Sequence, residues 1–327
     1  MLFCALNVVK GMVINMNTDI SMAVATQVII MAIYIAIGFL LTKINFLSRN
    51  GTKQMSDLLI NIVTPCVIIM AFQDGFTTDS TMDFFYALAL SIGIHIIAIA
   101  LISAMYSAIK NKENIQINKF SCVYSNCGFM GIPLLNATLG AKGVFIGSAY
   151  LAVFNVLAWT HGYNLFNGGK DKVSLKKILI NPGVTGIFIS AILIILNIKL
   201  PKVINSSISG IAALNTPVAM ILLGVYLGES KILNSLKKIS IYIVSFMRLI
   251  FIPLMAIIVF KLLNIDSEIA ITVILSSACP CAAIAAILAS QSGNDSGYAS
   301  SLVSISTIFS LITLPLMAHL ASIILYS

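Results

Sequence analysis

The sequence predicts an all-α integral membrane protein whose ten transmembrane helices form two inverted halves of five. Composition is the first reason, because hydrophobic residue types make up 59% of the 327 residues and Asp, Glu, Lys and Arg only 9%. A soluble chain carries about 25% charged residues. Unbroken apolar runs of about 18 residues or more, long enough to cross a bilayer as helices, are the second reason. Together they exclude a soluble enzyme, a disordered chain and an outer-membrane barrel.

The ten helices follow from the apolar runs, taken in order along the chain. We place them at approximately residues 20–43, 55–73, 84–109, 119–139, 143–166, 178–197, 204–228, 239–261, 269–290 and 298–325. Residues 1–18 are short and polar-flanked, and we interpret them as an N-terminal extension. No small-residue cleavage site precedes the first span, which disfavours a signal peptide.

The basic residues between the spans orient the chain in the membrane. Thirteen of them fall in alternate loops on one side, against five on the other. The thirteen are Lys43, Arg49, Lys53, Lys110, Lys112, Lys119, Lys170, Lys172, Lys176, Lys177, Lys231, Lys237 and Lys238. Because basic loops stay in the cytoplasm, we expect a multi-pass plasma-membrane protein with both termini extracellular. The same loops explain the net charge of +8, so nucleic acid is not an expected partner.

Proline-containing motifs recur at corresponding places in two halves, residues 19–167 and 178–327, which a cytoplasmic linker at residues 168–177 joins. The motifs are Asn61, Thr64 and Pro65 in span 2, Asn215, Thr216 and Pro217 in span 7, Gly131, Ile132 and Pro133 in span 4, and Cys279, Pro280 and Cys281 in span 9. Five spans in each half give the halves opposite orientations. Paired interruptions of this kind indicate a transporter binding site.

The prolines of spans 4 and 9 predict broken helices that cross in the membrane. Proline removes a backbone N–H and clashes with the carbonyl of the preceding turn, and a broken helix is tolerated in the bilayer only where it is buried or lines a wet cavity. If the two breaks cross, two helix N-termini meet there, each with roughly half a positive charge, which suits a carboxylate. The alternative is that both prolines only kink their helices for packing.

Three segments resemble the auxin efflux carrier family. Residues 125–135, SNCGFMGIPLL, closely resemble its fourth-helix signature. Residues 276–291, SSACPCAAIAAILASQ, look like its broken ninth helix, and the following SGNDSGYASSLVSISTIFSLITLP is similar to its C-terminal ending. Residues 248–253, RLIFIP, fit its eighth helix. The resemblance covers about residues 20–325, and the short central loop is typical of the compact prokaryotic type.

The resemblance implies a ten-helix inverted repeat related to bile-acid and sodium/proton carriers. Helices 1, 2, 6 and 7 would form a scaffold, and helices 3–5 and 8–10 a transport domain that moves past it like an elevator. The substrate-binding candidates are then Asn126, Gly131, Ile132, Pro133, Asn155, Cys279, Pro280 and Cys281. Plant exporters tend to have Gln at the position of Cys281, which disfavours an auxin-like ligand.

Other polar residues within the spans are candidates for the scaffold side of the site or for ion coupling. They are Asp57, Asn61, Thr64, Pro65, His95, Thr216, Pro217 and Arg248. Asp57 either relays protons or is a first-turn acid favoured by the helix dipole. His95 either carries a coupling proton or makes a structural hydrogen bond. Arg248 attracts an anion or neutralises a carboxylate, or instead caps carbonyls or snorkels.

These observations predict a secondary active carrier of small organic anions, above all carboxylates, that works in the lipid bilayer and needs no metal or cofactor. Proton or sodium coupling and a homodimer stay open. An enzyme is not expected, because no nucleophile with a base and no metal cluster is recognisable. The alternatives are an anion channel, which would need a continuous polar lining, and a membrane sensor that binds without transport.

Overall fold

The structure, a computed structural model, describes residues 2–108, 113–167, 182–196, 198–230 and 235–326. Within these ranges every regular element is a helix, and the one β-type pairing is an isolated antiparallel bridge between Ser125 and Cys281. The predicted all-α class is therefore confirmed for the described part of the chain. The predicted linker at residues 168–177 and the loop residues Lys110, Lys112 and Lys231 lie outside it.

The described helices are labelled α1 to α15 in chain order, and four short π-helical stretches lie within three of the longer helical segments. They are α1 (Leu2–Lys43), α2 (Arg49–Leu58), π-stretch Leu59–Val63, α3 (Thr64–Gly75), α4 (Thr78–Ser107), α5 (Ile115–Val123), π-stretch Cys127–Gly131, α6 (Ile132–Leu157), π-stretch Ala158–Gly162, α7 (Tyr163–Asn167), α8 (Pro182–Ile195), α9 (Lys202–Ala212), α10 (Asn215–Glu229), α11 (Ile239–Phe246), π-stretch Met247–Phe251, α12 (Ile252–Leu262), α13 (Ser267–Ala278), α14 (Ile284–Gln291) and α15 (Ser296–Tyr326).

Seven described helical segments are long and apolar enough to cross a membrane. They are Ile20–Lys43, Asn50–Gly75, Ser80–Ser107, Cys127–Asn167, Lys202–Glu229, Ile239–Leu262 and Ser296–Tyr326. Two shorter apolar helices, α8 and α13, fall where spans 6 and 9 are predicted. The chain is therefore a multi-pass helical membrane protein.

The segment Cys127–Asn167 lies at the centre of the molecule. Within its apolar window 72% of the residues are buried by protein, against 28–50% for the other six long segments. Those six expose large apolar side chains, as membrane helices do toward lipid. Within this segment a non-helical break at Gly140, whose φ of 63° only glycine adopts without strain, separates the helices of predicted spans 4 and 5.

The second helix begins earlier than the sequence predicts. Ser48 caps α2, because its side-chain oxygen accepts a hydrogen bond from the Gly51 N–H at 3.1 Å. Asp57 therefore lies about two turns inside the helix, near the junction with the π-stretch Leu59–Val63. The expectation that Asp57 occupies a first turn is wrong, since the true first turn contains Arg49 and no acidic residue.

Helices α1 and α10 pack backbone against backbone. A Cβ atom on Gly38 would lie 2.0 Å from the carbonyl oxygen of Ile221, and one on Gly224 would lie 2.0 Å from that of Ile35. Small residues allow such close approach in membranes, where van der Waals packing replaces the hydrophobic effect between helices. This pair of glycines therefore fixes the distance between the two helices.

Polar contacts between the ends of helices form two sets. The first joins Lys43 to Gly228, Glu113 to Lys238, Asn118 to Tyr298, and Phe166 to Asn294. The second joins Ser21 to His319, Gln73 to Ile198, Lys142 to Asp83 and Glu268, and Ser267 to Leu325. Along the chain, residues of the second set alternate with residues of the first. The alternation begins with Ser21 in the second set, passes to Lys43 in the first, and ends with Leu325 in the second.

Candidate functional site

Two interrupted helices meet at the centre of the described structure. Helix α5 ends at Val123 and α13 ends at Ala278, and residues 124–126 and 279–283 that follow them are not helical. The isolated antiparallel bridge joins the middle of one stretch to the middle of the other. We call these two stretches together the paired break.

The backbone groups freed at the paired break bond to each other. The Asn126 N–H donates to the Pro280 carbonyl at 2.7 Å, and the Ala282 N–H donates to the Tyr124 carbonyl at 3.0 Å. An unpaired backbone group would cost several kcal/mol in a membrane interior. Each break therefore satisfies the other, which explains why two non-helical stretches are tolerated in so apolar a chain.

A helix begins immediately after each half of the paired break. One starts with the π-stretch Cys127–Gly131 and continues into α6, and the other is α14. The first N–H groups of a helix have no partner within it, and the aligned peptide dipoles leave roughly half a positive charge at that end. Both helix starts therefore offer hydrogen-bond donors and positive potential.

Both helix starts line a cavity of about 750 Å³, which we call the break cavity. The residues that line it from the two breaks are Asn126, Gly128, Phe129, Ala282, Ala283 and Ile284. Opposite them lie residues of α2, the following π-stretch, α3, α8 and α10: Ser56, Asp57, Ile60, Asn61, Thr64, Pro182, Gly183 and Tyr226. Leu151, Phe154, Asn155, Trp159, Ile287 and Gln291 complete the lining.

Asn126 is the best-placed polar side chain in the break cavity. It is only 5% exposed, and its side-chain nitrogen has no hydrogen-bond partner among the described residues. A buried amide donor without a partner is costly, so this atom is an unsatisfied donor beside the cavity. Asn155 is half-buried in the same cavity.

Three predicted scaffold-side residues also line the break cavity. Asn61 donates its side-chain N–H to the Asp57 carbonyl at 2.8 Å, and the Thr64 hydroxyl donates to the Leu59 carbonyl at 2.9 Å. Asp57 and Asn61 are exposed to the cavity side of their helix. These bonds leave the oxygens of Asn61 and Thr64 able to accept.

Four residues with a polar side-chain atom line the break cavity but were not among the predicted site residues: Ser56, Trp159, Tyr226 and Gln291. Helical periodicity carried a signal for two of them. Trp159 follows Asn155 by four residues, and Gln291 follows Ile284 by seven, so each shares a helix face with a lining residue. No comparable signal singles out Tyr226.

Several predicted residues lie elsewhere. Cys279 and Cys281 are fully buried and do not line the cavity; the Cys281 N–H donates to the Ser306 hydroxyl at 3.2 Å. Gly131 is buried, and Pro65 packs on Gly186 of α8. Pro217 is half-buried and lines neither this cavity nor the next one.

A second cavity of about 420 Å³ is lined by three further predicted residues, Ile132, Pro133 and Thr216. Its other polar lining comes from Asp74, Asn136, Ser209 and Asn215. The two cavities come close along two different helices. On α3, Thr64 lines the break cavity and Val67, three residues later, lines the second cavity. After the first break, Phe129 lines the break cavity and Ile132 lines the second.

His95 is buried beside the paired break, outside both cavities. Its Nδ1 donates to the Ser91 carbonyl at 2.7 Å, and its ring lies 4.8 Å from that of Tyr150. The Tyr150 hydroxyl in turn accepts from the Ser125 side chain at 3.3 Å. The second ring nitrogen, Nε2, has no partner within the described ranges.

Arg248 is fully buried and bonds only to backbone carbonyls in the described structure. One guanidinium nitrogen, Nη1, donates to Val123 at 2.6 Å and to Cys122 at 3.2 Å. The other, Nη2, donates to Ser277. The side chain reaches neither cavity.

A multi-pass helical chain with a cavity lined by non-helical stretches is typical of membrane transporters. The family model described as a membrane transport protein matches residues 19–176 and 171–318. The chain therefore belongs to this family, that of the auxin efflux carriers, as the sequence motifs predict. Membership also supports the prediction that the protein is not an enzyme.

Two archaeal proteins are similar to the chain over nearly its whole length. An uncharacterized transporter of Methanothermobacter thermautotrophicus is 23% identical over 309 residues, covering 91% of this chain and 98% of that protein. An uncharacterized transporter of Methanocaldococcus jannaschii is 24% identical over 307 residues, covering 88% and 96%. This similarity supports transport as the activity and does not identify the substrate.

Proposed function

We propose that the protein is a secondary active carrier of small organic anions, chiefly carboxylates, with the substrate bound in the break cavity. One observation carries the proposal: Asn126, whose side-chain nitrogen has no hydrogen-bond partner among the described residues, lines the same cavity as two helix N-termini. Donors and positive helix ends together favour an anion. Phe129, Leu151 and Phe154 offer apolar surface for the rest of an organic acid.

The proposed topology is ten crossings in two inverted halves. The alternation of the two contact sets along the chain supports it, because each change of set corresponds to one crossing. The first set includes Lys43 and Lys238 and lies near the basic loops, so we assign it to the cytoplasm and both termini to the outside. Asp57 lines the break cavity and is close in sequence to these cytoplasmic loops, so we assign the break cavity to the inward-facing side.

Elevator-type alternating access accounts for the position of the break cavity. Its lining comes on one side from predicted scaffold helices, through Asn61 and Tyr226, and on the other from the paired break. The second cavity, near Asp74, then lies on the outer side. Because less than one helical turn separates the residues that line the two cavities, a modest shift of the transport domain would expose the bound anion to the opposite face.

Counterflow in liposomes tests the proposal. Purified protein would be reconstituted into vesicles preloaded with malate, lactate, short-chain carboxylates or indole-3-acetate, and uptake of the same labelled acid would be measured. We expect saturable uptake of at least one acid, stimulated by the preloaded acid. Flux without saturation or counterflow would instead establish a channel, and binding without flux a sensor. Repeating the assay with proton and sodium gradients identifies the coupling ion.

A further inference from the structure

Arg248 connects the ends of the two helices that lead into the paired break. Val123 and Cys122 belong to the last turn of α5, and Ser277 belongs to the last turn of α13. All three carbonyls accept from the same guanidinium. The side chain comes from a third helical segment, the π-stretch Met247–Phe251. One side chain therefore joins three segments that are far apart in sequence.

A cation at this position is electrostatically matched to its surroundings. The last carbonyls of a helix have no partner within it, and each C-terminus carries roughly half a negative charge. Two such ends offer about one unit of negative charge to the guanidinium. No acidic side chain pairs with Arg248 in the described structure. The helix ends, and not a carboxylate, therefore compensate its buried charge.

The guanidinium also sets the charge of the paired break as a whole. Two helix C-termini and two helix N-termini meet there, and their partial charges of roughly half a unit cancel. The charge of Arg248 then leaves an excess of about one positive unit, facing a cavity with free donors. In other carriers, unwound carbonyls and half-helix C-termini coordinate sodium, and here a side chain already occupies carbonyls of that kind.

We propose that Arg248 is a resident cation of the paired break, which replaces a bound metal cation between the two helix C-termini, so that the anion site forms without sodium. This assignment extends the proposed function, and it depends on that proposal for the claim that the bound ligand is an anion. Arg248 acts as a positioning residue, because it lines neither cavity and reaches a substrate only through the two breaks.

Cation-dependent thermal unfolding of the purified protein tests the assignment without any substrate. Wild-type protein is compared in sodium chloride and in N-methyl-D-glucamine chloride, and we expect the same Tm in both. For Arg248→Gln we expect a lower Tm that rises by about 3 °C when sodium or millimolar guanidinium fills the vacated position. Arg49→Gln, which removes the other arginine of the chain, is the matched control and should respond to neither cation.

Two results would overturn the assignment: sodium stabilises the wild type, or a folded Arg248→Gln protein ignores both cations. If Arg248→Gln does not fold, Arg248→Lys decides, because it keeps the charge. The assignment of Arg248 as a resident cation then requires that Arg248→Lys folds and that its Tm does not change with sodium. A Tm that rises with sodium contradicts the assignment. Failure of every acid in the counterflow assay would remove the proposed function and leave these melting results standing, so the two failures are distinguishable.

Discussion

The side-chain amide of Asn126 combines burial, a free donor and access to the break cavity. Its backbone is fixed twice, through the N–H bond to Pro280 and through its own carbonyl, which accepts from Met130 at 3.0 Å. The backbone of Asn126 is therefore held in place before any ligand arrives. Such preorganisation lowers the entropic cost of binding.

Asn126→Ala should weaken carboxylate binding and uptake by about 10- to 100-fold, because a hydrogen bond to a charged group contributes about 1.5–3 kcal/mol. The Tm should change little, since the side chain has no protein partner to lose. Labelled-acid uptake and a melting curve measure the two effects. Asn205→Ala on α9, outside both cavities, is the control. Unchanged uptake in Asn126→Ala would remove this residue from the site.

Pro280→Ala should lower transport at least about tenfold by letting α13 continue toward α14. A continuous helix would withdraw the Pro280 carbonyl from Asn126 and remove one helix N-terminus from the break cavity. Uptake in vesicles measures the effect, and a melting curve shows that the variant is folded. Pro201→Ala, at the start of α9, is the control. Wild-type flux in a folded Pro280→Ala protein would argue against binding at the paired break.

At the scale of secondary-structure elements, glycines decide how α1 and α10 fit together. Gly224 leaves no room for a side chain against the Ile35 carbonyl, and Gly228 approaches the side chain of Thr42. By contrast, a Cβ on Gly210 of α9 would meet no atom within 4 Å. The same residue type is thus a packing requirement in one helix and not in its neighbour.

Gly224→Ala should lower the Tm by roughly 5 °C, because overpacking costs about 1–3 kcal/mol and α1 must move away. Gly210→Ala should leave the Tm unchanged or raise it slightly, since alanine is the better helix former. Differential scanning calorimetry of the two purified variants compares their Tm values directly. Equal Tm values would show that the close approach of α1 and α10 is not needed for stability.

At the scale of the whole molecule, the two contact sets give the chain two distinct ends. In the described structure Lys43 and Lys238 make contacts of the first set, whereas Lys142 at the other end pairs with Glu268 at 2.6 Å and Asp83 at 3.5 Å. The sequence assigns thirteen basic residues to the loops of the first end and five to those of the other, which is the bias that the positive-inside rule predicts for a cytoplasmic face.

Site-directed labelling checks this orientation. Lys199→Cys and a cysteine added at the C-terminus should react with a membrane-impermeant maleimide in intact cells. Lys237→Cys should react only after the membrane is opened. The parent protein, whose described free cysteines are buried or half-buried, sets the background. Labelling of Lys237→Cys in intact cells, without that of Lys199→Cys, would reverse the proposed topology.

The sequence alone determined the membrane class and the approximate location of the helices. It placed the first break at Gly131–Pro133, whereas the described structure has the non-helical residues at 124–126 and continues as helix through Pro133. Composition and proline act through solvent transfer and local backbone geometry, which need no knowledge of distant partners. It also singled out Asn126 and Asn61, because polar groups are costly in apolar segments wherever those segments pack, and the resemblance to the auxin efflux carriers added Asn155.

Only the tertiary structure decided which candidates share a cavity. It buried Cys279 and Cys281, added Tyr226 and Gln291 to the lining, and placed Arg248 on the carbonyls of two helices more than twenty residues away. These outcomes depend on contacts between residues separated by as many as 126 positions in sequence. Local sequence cannot encode them one by one, because they are fixed by the joint packing of all the helices.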